Sequence, residues 1–111
     1  MNRGERLAAR HYRLRGWQVV DANARAGGYE LDLVVRRGRR LVFCEVKEKG
    51  GPGFGDPLEM VDAEKRRRVR RAAAGWLARH PELAALETGF EVVAVREGRV
   101  SRVADDFGAA A

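Results

Sequence analysis

The sequence predicts an α/β domain with a central mixed β-sheet flanked by helices, its elements in the order α-β-β-β-α-β-β. Three observations carry this. Two stretches place apolar residues at helical spacing, one before and one after a group of strands. Residues 29–35 and 41–47 are rich in Val, Leu and Phe and are joined by a polar stretch containing Gly38. Two further strand-length segments, turned at Glu97-Gly98, close the chain. At 111 residues there is material for one hydrophobic core and too little for two, so residues 1–104 are expected to form a single domain and 105–111 a flexible tail.

The first helix is expected over 3–15, ending at Gly16 as a C-cap. Glu5, Ala8, Ala9 and Tyr12 fall on one stripe, which puts Glu5 on the face that packs inward. Residues 17–20 read as a short strand and 21–28 as a polar connection ending in two glycines. The next two segments read as a hairpin about a two-residue loop, Gly38-Arg39. That loop pairs Arg37 with Arg40 and, counting back, sets Asp32 opposite Glu45 and Glu30 opposite Lys47. Residues 48–57 hold four of the 13 glycines and match neither a Walker pattern nor G-x-G-x-x-G. They read as a mobile loop beside the site, with Phe54 as its large apolar residue, able to close over a substrate. Asp56, Pro57 and Glu59 resemble a helix start, and Asp62 offers a second N-cap. A short turn should therefore lead into a longer helix that His80-Pro81 stops near Arg79. Lys65, Val69, Ala72, Ala73, Trp76 and Leu77 share its inner stripe, with Lys65 at the edge and most of the arginines toward solvent. Residues 90–96 and 99–103 complete the sheet.

Lys and Arg number 22 against 16 acids, a net charge of +6 that favours a polyanionic partner. Five arginines fall between Arg66 and Arg71, while Glu30, Asp32 and Glu45 interrupt apolar strands. Charges interrupt every long apolar stretch, so neither a transmembrane span nor a signal-peptide core is expected. A cytoplasmic protein is the expectation, and a single cysteine, Cys44, agrees with a reducing compartment. Alternation turns Cys44 away from the acids, as a small buried hydrophobe.

The acids carry the chemistry. Two like charges facing each other across a ladder destabilise a sheet unless something positive lies between them, and a hard divalent cation is the simplest candidate. Glu45 and Lys47, two apart on one strand, emerge on the same face. The acid can ligate a cation while the ammonium polarises a water or neutralises a phosphate. Magnesium, with manganese as its substitute, suits two carboxylates and retained waters, and the reaction would be phosphodiester hydrolysis. His11 and His80 lie far in sequence from the acids and read as ordinary helix residues. The alternative is an ion pair between Glu30 and Lys47, with Asp32 and Glu45 on a solvated sheet face. Leu41 and Phe43, which belong in a core, share that face and favour a cleft.

Gly4-Glu5, Glu30-Leu31-Asp32-Leu33, the run from Val42 to Lys49, Phe54-Gly55 and the helix beginning at Lys65 together resemble the YraN-like family of small bacterial proteins. That family is similar to archaeal Holliday junction resolvases and to the PD-(D/E)XK nuclease superfamily. The resemblance spans about the first three-quarters of the chain. It implies a restriction-endonuclease-like fold and a metal-dependent DNA endonuclease, acting on branched recombination or repair intermediates, with a homodimer expected. Asp32 and Glu45 would be the metal-ligating acids, with the Val46 carbonyl a third ligand, Lys47 the catalytic lysine, Glu5 the helix-borne acid and Glu30 a further acid of the site. Lys49, Lys65, Arg66, Arg67 and Arg70 are the expected nucleic-acid contacts, Lys65 at the scissile phosphate. Tyr29 stands where the family has glycine, and Leu31 replaces the proline of the superfamily motif. The second reading is a nucleic-acid-binding module that keeps the nuclease scaffold without turnover.

Overall fold

Asn2 opens the first helix, α1 (Arg3–Arg13), with a reciprocal cap. Its side chain accepts the Glu5 N–H at 2.8 Å, while Glu5 Oε1 accepts the Asn2 N–H at 3.0 Å. Ala8, Ala9 and Tyr12 are buried, as their stripe predicts, and Glu5 is buried with them. The helix stops two residues short of the expected Arg15, and Gly16, at φ +85°, turns the chain into the sheet. The computed structural model describes residues 1–50 and 57–105, apart from the side chain of Leu58. The expected loop around Phe54, the Asp56 cap and the tail from 106 onward lie outside the described residues.

Five strands follow: β1 (Gln18–Ala26), β2 (Tyr29–Arg37), β3 (Arg40–Lys49), β4 (Glu87–Arg96) and β5 (Arg99–Asp105). They lie side by side in chain order, with β3 and β4 parallel and every other neighbour antiparallel. The crossover between the two parallel strands is α2 (Ala63–Arg79), preceded by a 3-10 turn at Pro57–Met60 and followed by another at Pro81–Leu83. Asp62 caps α2 by accepting the Lys65 N–H, and His80-Pro81 ends it at Arg79 as expected. The element order and the mixed sheet agree with the sequence reading.

Several strand boundaries differ, and among them β4 begins at Glu87 instead of Phe90. Residues 21–26, read as a polar connection, belong to β1, and only Gly27-Gly28, at φ +57° and +85°, form the turn. Their polar groups have partners in the fold: Asp21 Oδ2 accepts the Trp76 indole N–H at 2.9 Å. Glu48 and Lys49 extend β3 instead of opening a loop. Asp105 ends β5 opposite Phe90 and lies 3.5 Å from Arg66, so it is not part of a tail.

Each face of the sheet carries its own core. Leu31, Val34, Leu41, Phe43 and Val92 pack against Val69, Ala72, Ala73 and Trp76 of α2. Leu33, Val35, Val42, Cys44 and Val93 pack against Ala8, Ala9, Tyr12 and Trp17 on the α1 side. The α1-side core encloses a charge. Glu91, 8% exposed, accepts the Tyr12 hydroxyl at 2.5 Å and the Arg102 Nε–H at 2.9 Å, and the Arg102 guanidinium lies 4.5 Å over the Tyr12 ring. Cys44 donates to the Tyr12 oxygen at 3.3 Å, and burial pushes its thiol pKa up, as befits a packing residue.

Helix α2 meets the β1–β2 turn backbone to backbone. A Cβ on Gly75 would lie 2.7 Å from the Gly27 nitrogen, and one on Gly27 would lie 2.7 Å from the Arg71 carbonyl oxygen. Gly75→Ala is therefore expected to cost about 1 to 3 kcal/mol, because two stretches of backbone must separate. The check is a lowered urea midpoint at unchanged slope; an unchanged midpoint would show that the contact yields freely.

Candidate functional site

The β2–β3 ladder runs as counted from Arg37–Arg40 to Leu33–Cys44 and there it ends. Asp32 and Glu45 are therefore neighbours without being a backbone pair. The Asp32 carboxylate takes the place of a ladder carbonyl, accepting the Val46 N–H at 2.8 Å. The cause lies across β2. Asn23, the residue of β1 that counts opposite Asp32, has φ +49°, a left-handed conformation that asparagine tolerates better than most residues. On its two sides the alternation inverts. The pair Ala22–Leu33 faces the α1-side core and the pair Ala24–Leu31 faces the α2-side core, although strict alternation would put both on one face. At the inversion Asp32 points along the sheet toward β3.

This geometry corrects one expectation outright. Glu30 does not oppose Lys47. It pairs with Arg25 of β1 and accepts the Asn23 amide at 3.2 Å. Lys47 instead lies 3.7 Å from Glu45, so the alternative of a Glu30–Lys47 ion pair is not what forms.

Four acids nonetheless meet at this end of the sheet. Glu5, Glu30 and Asp32 bring carboxylate oxygens within 4.8 Å of one another. Asn23 bridges two of them, donating to Glu5 at 3.1 Å and to Glu30 at 3.2 Å. Glu45, 2% exposed, adjoins Asp32 and continues the face of Leu41 and Phe43 toward α2. Its Oε1 lies 3.4 Å from Lys65 and 3.7 Å from Lys47. Its Oε2 is buried and has no hydrogen-bond partner among the described residues. Burial, reinforced by the neighbouring Glu45 charge, pushes the Asp32 carboxyl up to about 7 against the pull of the Val46 hydrogen bond. Burial also raises Glu45, opposed by Lys65 and Lys47.

Val46 donates its N–H toward β2, and in an extended strand the carbonyl of the same residue emerges on the same edge. That oxygen therefore faces the gap where the ladder has stopped. The expected acids Glu5, Glu30, Asp32 and Glu45, with Lys47 and Lys65, are thus gathered in one place. The basic residues are dispersed. Lys49 is exposed at the end of β3. Arg66 turns inward to the Val61 carbonyl at 3.1 Å and to Asp105, and Arg67 pairs with Glu64 one turn back on α2. Arg70 is half-buried on the same helix. Sequence reasoning missed Asn23, whose only signal was an asparagine among alanines at a place where the chain turns left-handed.

The profile described as "Uncharacterised protein family UPF0102" matches residues 4–95, a span that contains every one of these acids and both lysines. The UPF0102 protein of Frankia casuarinae is 47% identical over 92 residues, covering 83% of this chain and 77% of that protein. Its counterpart in Frankia alni is 46% identical over 100 residues, 90% of this chain and 82% of the relative. One from Beutenbergia cavernae is 47% identical over 96 residues, 86% and 80% of the two chains. With most of its length matched in this way, the chain belongs to the uncharacterised family UPF0102, the YraN-like group.

Proposed function

We propose that this protein is a divalent-metal-dependent endonuclease of restriction-endonuclease-like fold that hydrolyses DNA phosphodiester bonds, with branched recombination or repair intermediates as the preferred class. The observation that carries the reading is the buried Glu45 Oε2 beside Asp32, which has no hydrogen-bond partner among the described residues. A buried carboxylate oxygen without a donor is costly, and a cation between the two acids would satisfy both. Asp32 and Glu45, with the Val46 carbonyl, fit a hard oxygen-seeking ion such as magnesium or manganese. When bound, such an ion supplies Lewis-acid stabilisation of charge on a phosphate oxygen.

The chain's own groups do the rest. Lys47 sits at the rim with 36% of its side chain exposed, where its ammonium holds a phosphate oxygen or passes a proton to and from water. Lys65 approaches the same acid from α2 and is placed to neutralise the scissile phosphate. Glu5 and Glu30, held by Asn23, orient water at the outer side of Asp32. Cleavage of branched and linear DNA in magnesium or manganese is the test. Asp32→Ala and Glu45→Ala should each reduce it by at least about a hundredfold. A cut that persists in either variant would overturn the assignment, and wild-type binding without any cut would favour the non-catalytic module.

A further inference from the structure

The tip of the β2–β3 hairpin, away from the acids, concentrates arginine. Arg36 and Arg37 end β2, Arg39 lies in the turn and Arg40 opens β3. Arg15, just past α1, joins them through its carbonyl, which accepts an N–H of Arg37 at 3.0 Å. All but the half-buried Arg36 are exposed. The other hydrogen bonds of these guanidinium groups also go to main-chain oxygens: Arg36 donates to the Gly38 carbonyl at 3.1 Å, Arg15 to that of His11 at 3.1 Å and Arg39 to that of Ala85 at 3.5 Å. A carbonyl orients a guanidinium without cancelling its charge, and each arginine keeps its other N–H donors. By contrast Arg3, Arg66, Arg67, Arg68 and Arg102 each lie in an ion pair with a carboxylate. Two exposed acids, Glu82 and Glu87, stand near the tip. Glu87 is opposite Arg40 in the β3–β4 register, yet the two form no ion pair: Arg40 extends along β4 to Gly89, where a Cβ would stand 3.3 Å from its Nη2. Arg37 and Arg40 are directly opposed on the α1 side of the sheet, since Val35 and Val42, the next pair but one, pack in that core. Arg37 is fixed further by lying 4.7 Å over the Trp17 ring. Two like charges facing each other weaken a ladder unless an anion joins them.

We infer that this tip is a second phosphate grip, in which Arg37, Arg39 and Arg40 hold the sugar-phosphate backbone of the nucleic acid at a part that is not cut. The planar guanidinium fork matches two phosphate oxygens, and forks already oriented by carbonyls and by Trp17 lose little freedom on binding. Arg37 follows Asp32, and Arg40 precedes Glu45, by five residues, roughly 16 Å along the strands, so the tip engages the substrate outside the cleavage point. The inference rests on the nucleic-acid reading above and adds a contact in which neither the acids nor a metal takes part.

Binding of a fluorescein-labelled DNA duplex, followed by anisotropy in EDTA, tests the grip apart from metal and cleavage. The double variant Arg37→Gln/Arg40→Gln should bind at least tenfold more weakly at about 0.1 M salt, with the slope of log affinity against log salt smaller by about 2. Arg39→Gln/Arg40→Gln, which leaves Arg37 on Trp17, should show a loss of the same order, so the outcome does not depend on how the first variant folds. Arg6→Gln/Arg10→Gln removes the same charge from the exposed side of α1 and should weaken binding by less than about threefold. Wild-type affinity and slope in the two folded tip variants would overturn the grip, and so would an equal loss in the α1 variant, which would assign binding to overall charge. A wild-type protein with no affinity for DNA at low salt would overturn the nucleic-acid reading and the grip with it.

Discussion

At pH 8 and in EDTA, Asp32→Asn should melt above the wild-type protein, and below about pH 4 the two should melt together. In the folded chain burial and the Glu45 charge raise the Asp32 carboxyl to about 7, well above the value near 4 of the unfolded chain. The folded state therefore holds a proton that the unfolded state has released. The stability associated with this group is complete below about pH 4 and is lost as pH rises toward 7. Asparagine keeps an oxygen for the Val46 N–H and never ionises, so it escapes that loss. The gain should be roughly 2 to 4 kcal/mol, allowing for coupling between the two acids. Manganese should close most of that gap. Wild type is expected to gain about 2 to 3 kcal/mol at a hundred times the dissociation constant, while the variant, lacking one ligand, gains little. Melting curves across pH with and without manganese decide this. A wild-type protein as stable at pH 8 as at pH 5 in EDTA would remove the buried-acid argument.

A second large effect is expected on the other face of the sheet. Glu91→Ala should cost about 3 to 5 kcal/mol, because it leaves the Arg102 guanidinium and the Tyr12 hydroxyl without the carboxylate that both contact. Tyr12→Phe removes one of the three polar groups and leaves the Arg102–Glu91 pair intact, so its cost should be nearer 1 kcal/mol. Replacing Glu91 and Arg102 together with apolar residues should recover much of the loss, since the single change leaves a partly buried guanidinium without its carboxylate. Equal losses for the single and the paired change in chemical denaturation would assign the energy to packing alone. Glu91 lies in a run of valines whose alternation says only that the strand is buried. That its charge is matched follows from which residues β5 and α1 bring to it.

The architecture was legible wherever a local period dictates it. The stripe from Glu5 to Tyr12 and the one from Val69 to Trp76 define helix faces, and Gly38-Arg39 and Glu97-Gly98 define turns; all four stand where the periods put them. The site was legible in its membership and not in its arrangement. Counting from Gly38 set Asp32 opposite Glu45 across the ladder; the two are neighbours, but the ladder stops one pair short of them. The count presumed an uninterrupted ladder, and nothing in residues 29–35 signals that the alternation inverts at Asp32. The inversion is produced jointly by Asn23 on the neighbouring strand and by the two helices that each draw a different pair of side chains into a core. For the same reason Glu30 was assigned the wrong neighbour: an error that begins at the inversion propagates to every residue beyond it. The length of β1 was hidden because Asp21 and Asn23 look like loop residues until Trp76 and Glu5 supply their partners.

The parallel pairing of β3 with β4 has a consequence for the order in which this chain can assemble. A hairpin bearing Asp32 and Glu45 is complete once Lys49 has been made, yet the strand that covers the other edge of β3 does not begin until Glu87. Lys65, which approaches Glu45, belongs to the intervening crossover. Closing that long loop is the slow, non-local part of folding, whereas the first three strands form by local turns. In a nascent chain the two acids stay hydrated and ordinary. Their dehydration coincides with the docking of α2 and the insertion of β4, so the charge cluster and the finished fold come into being in a single step.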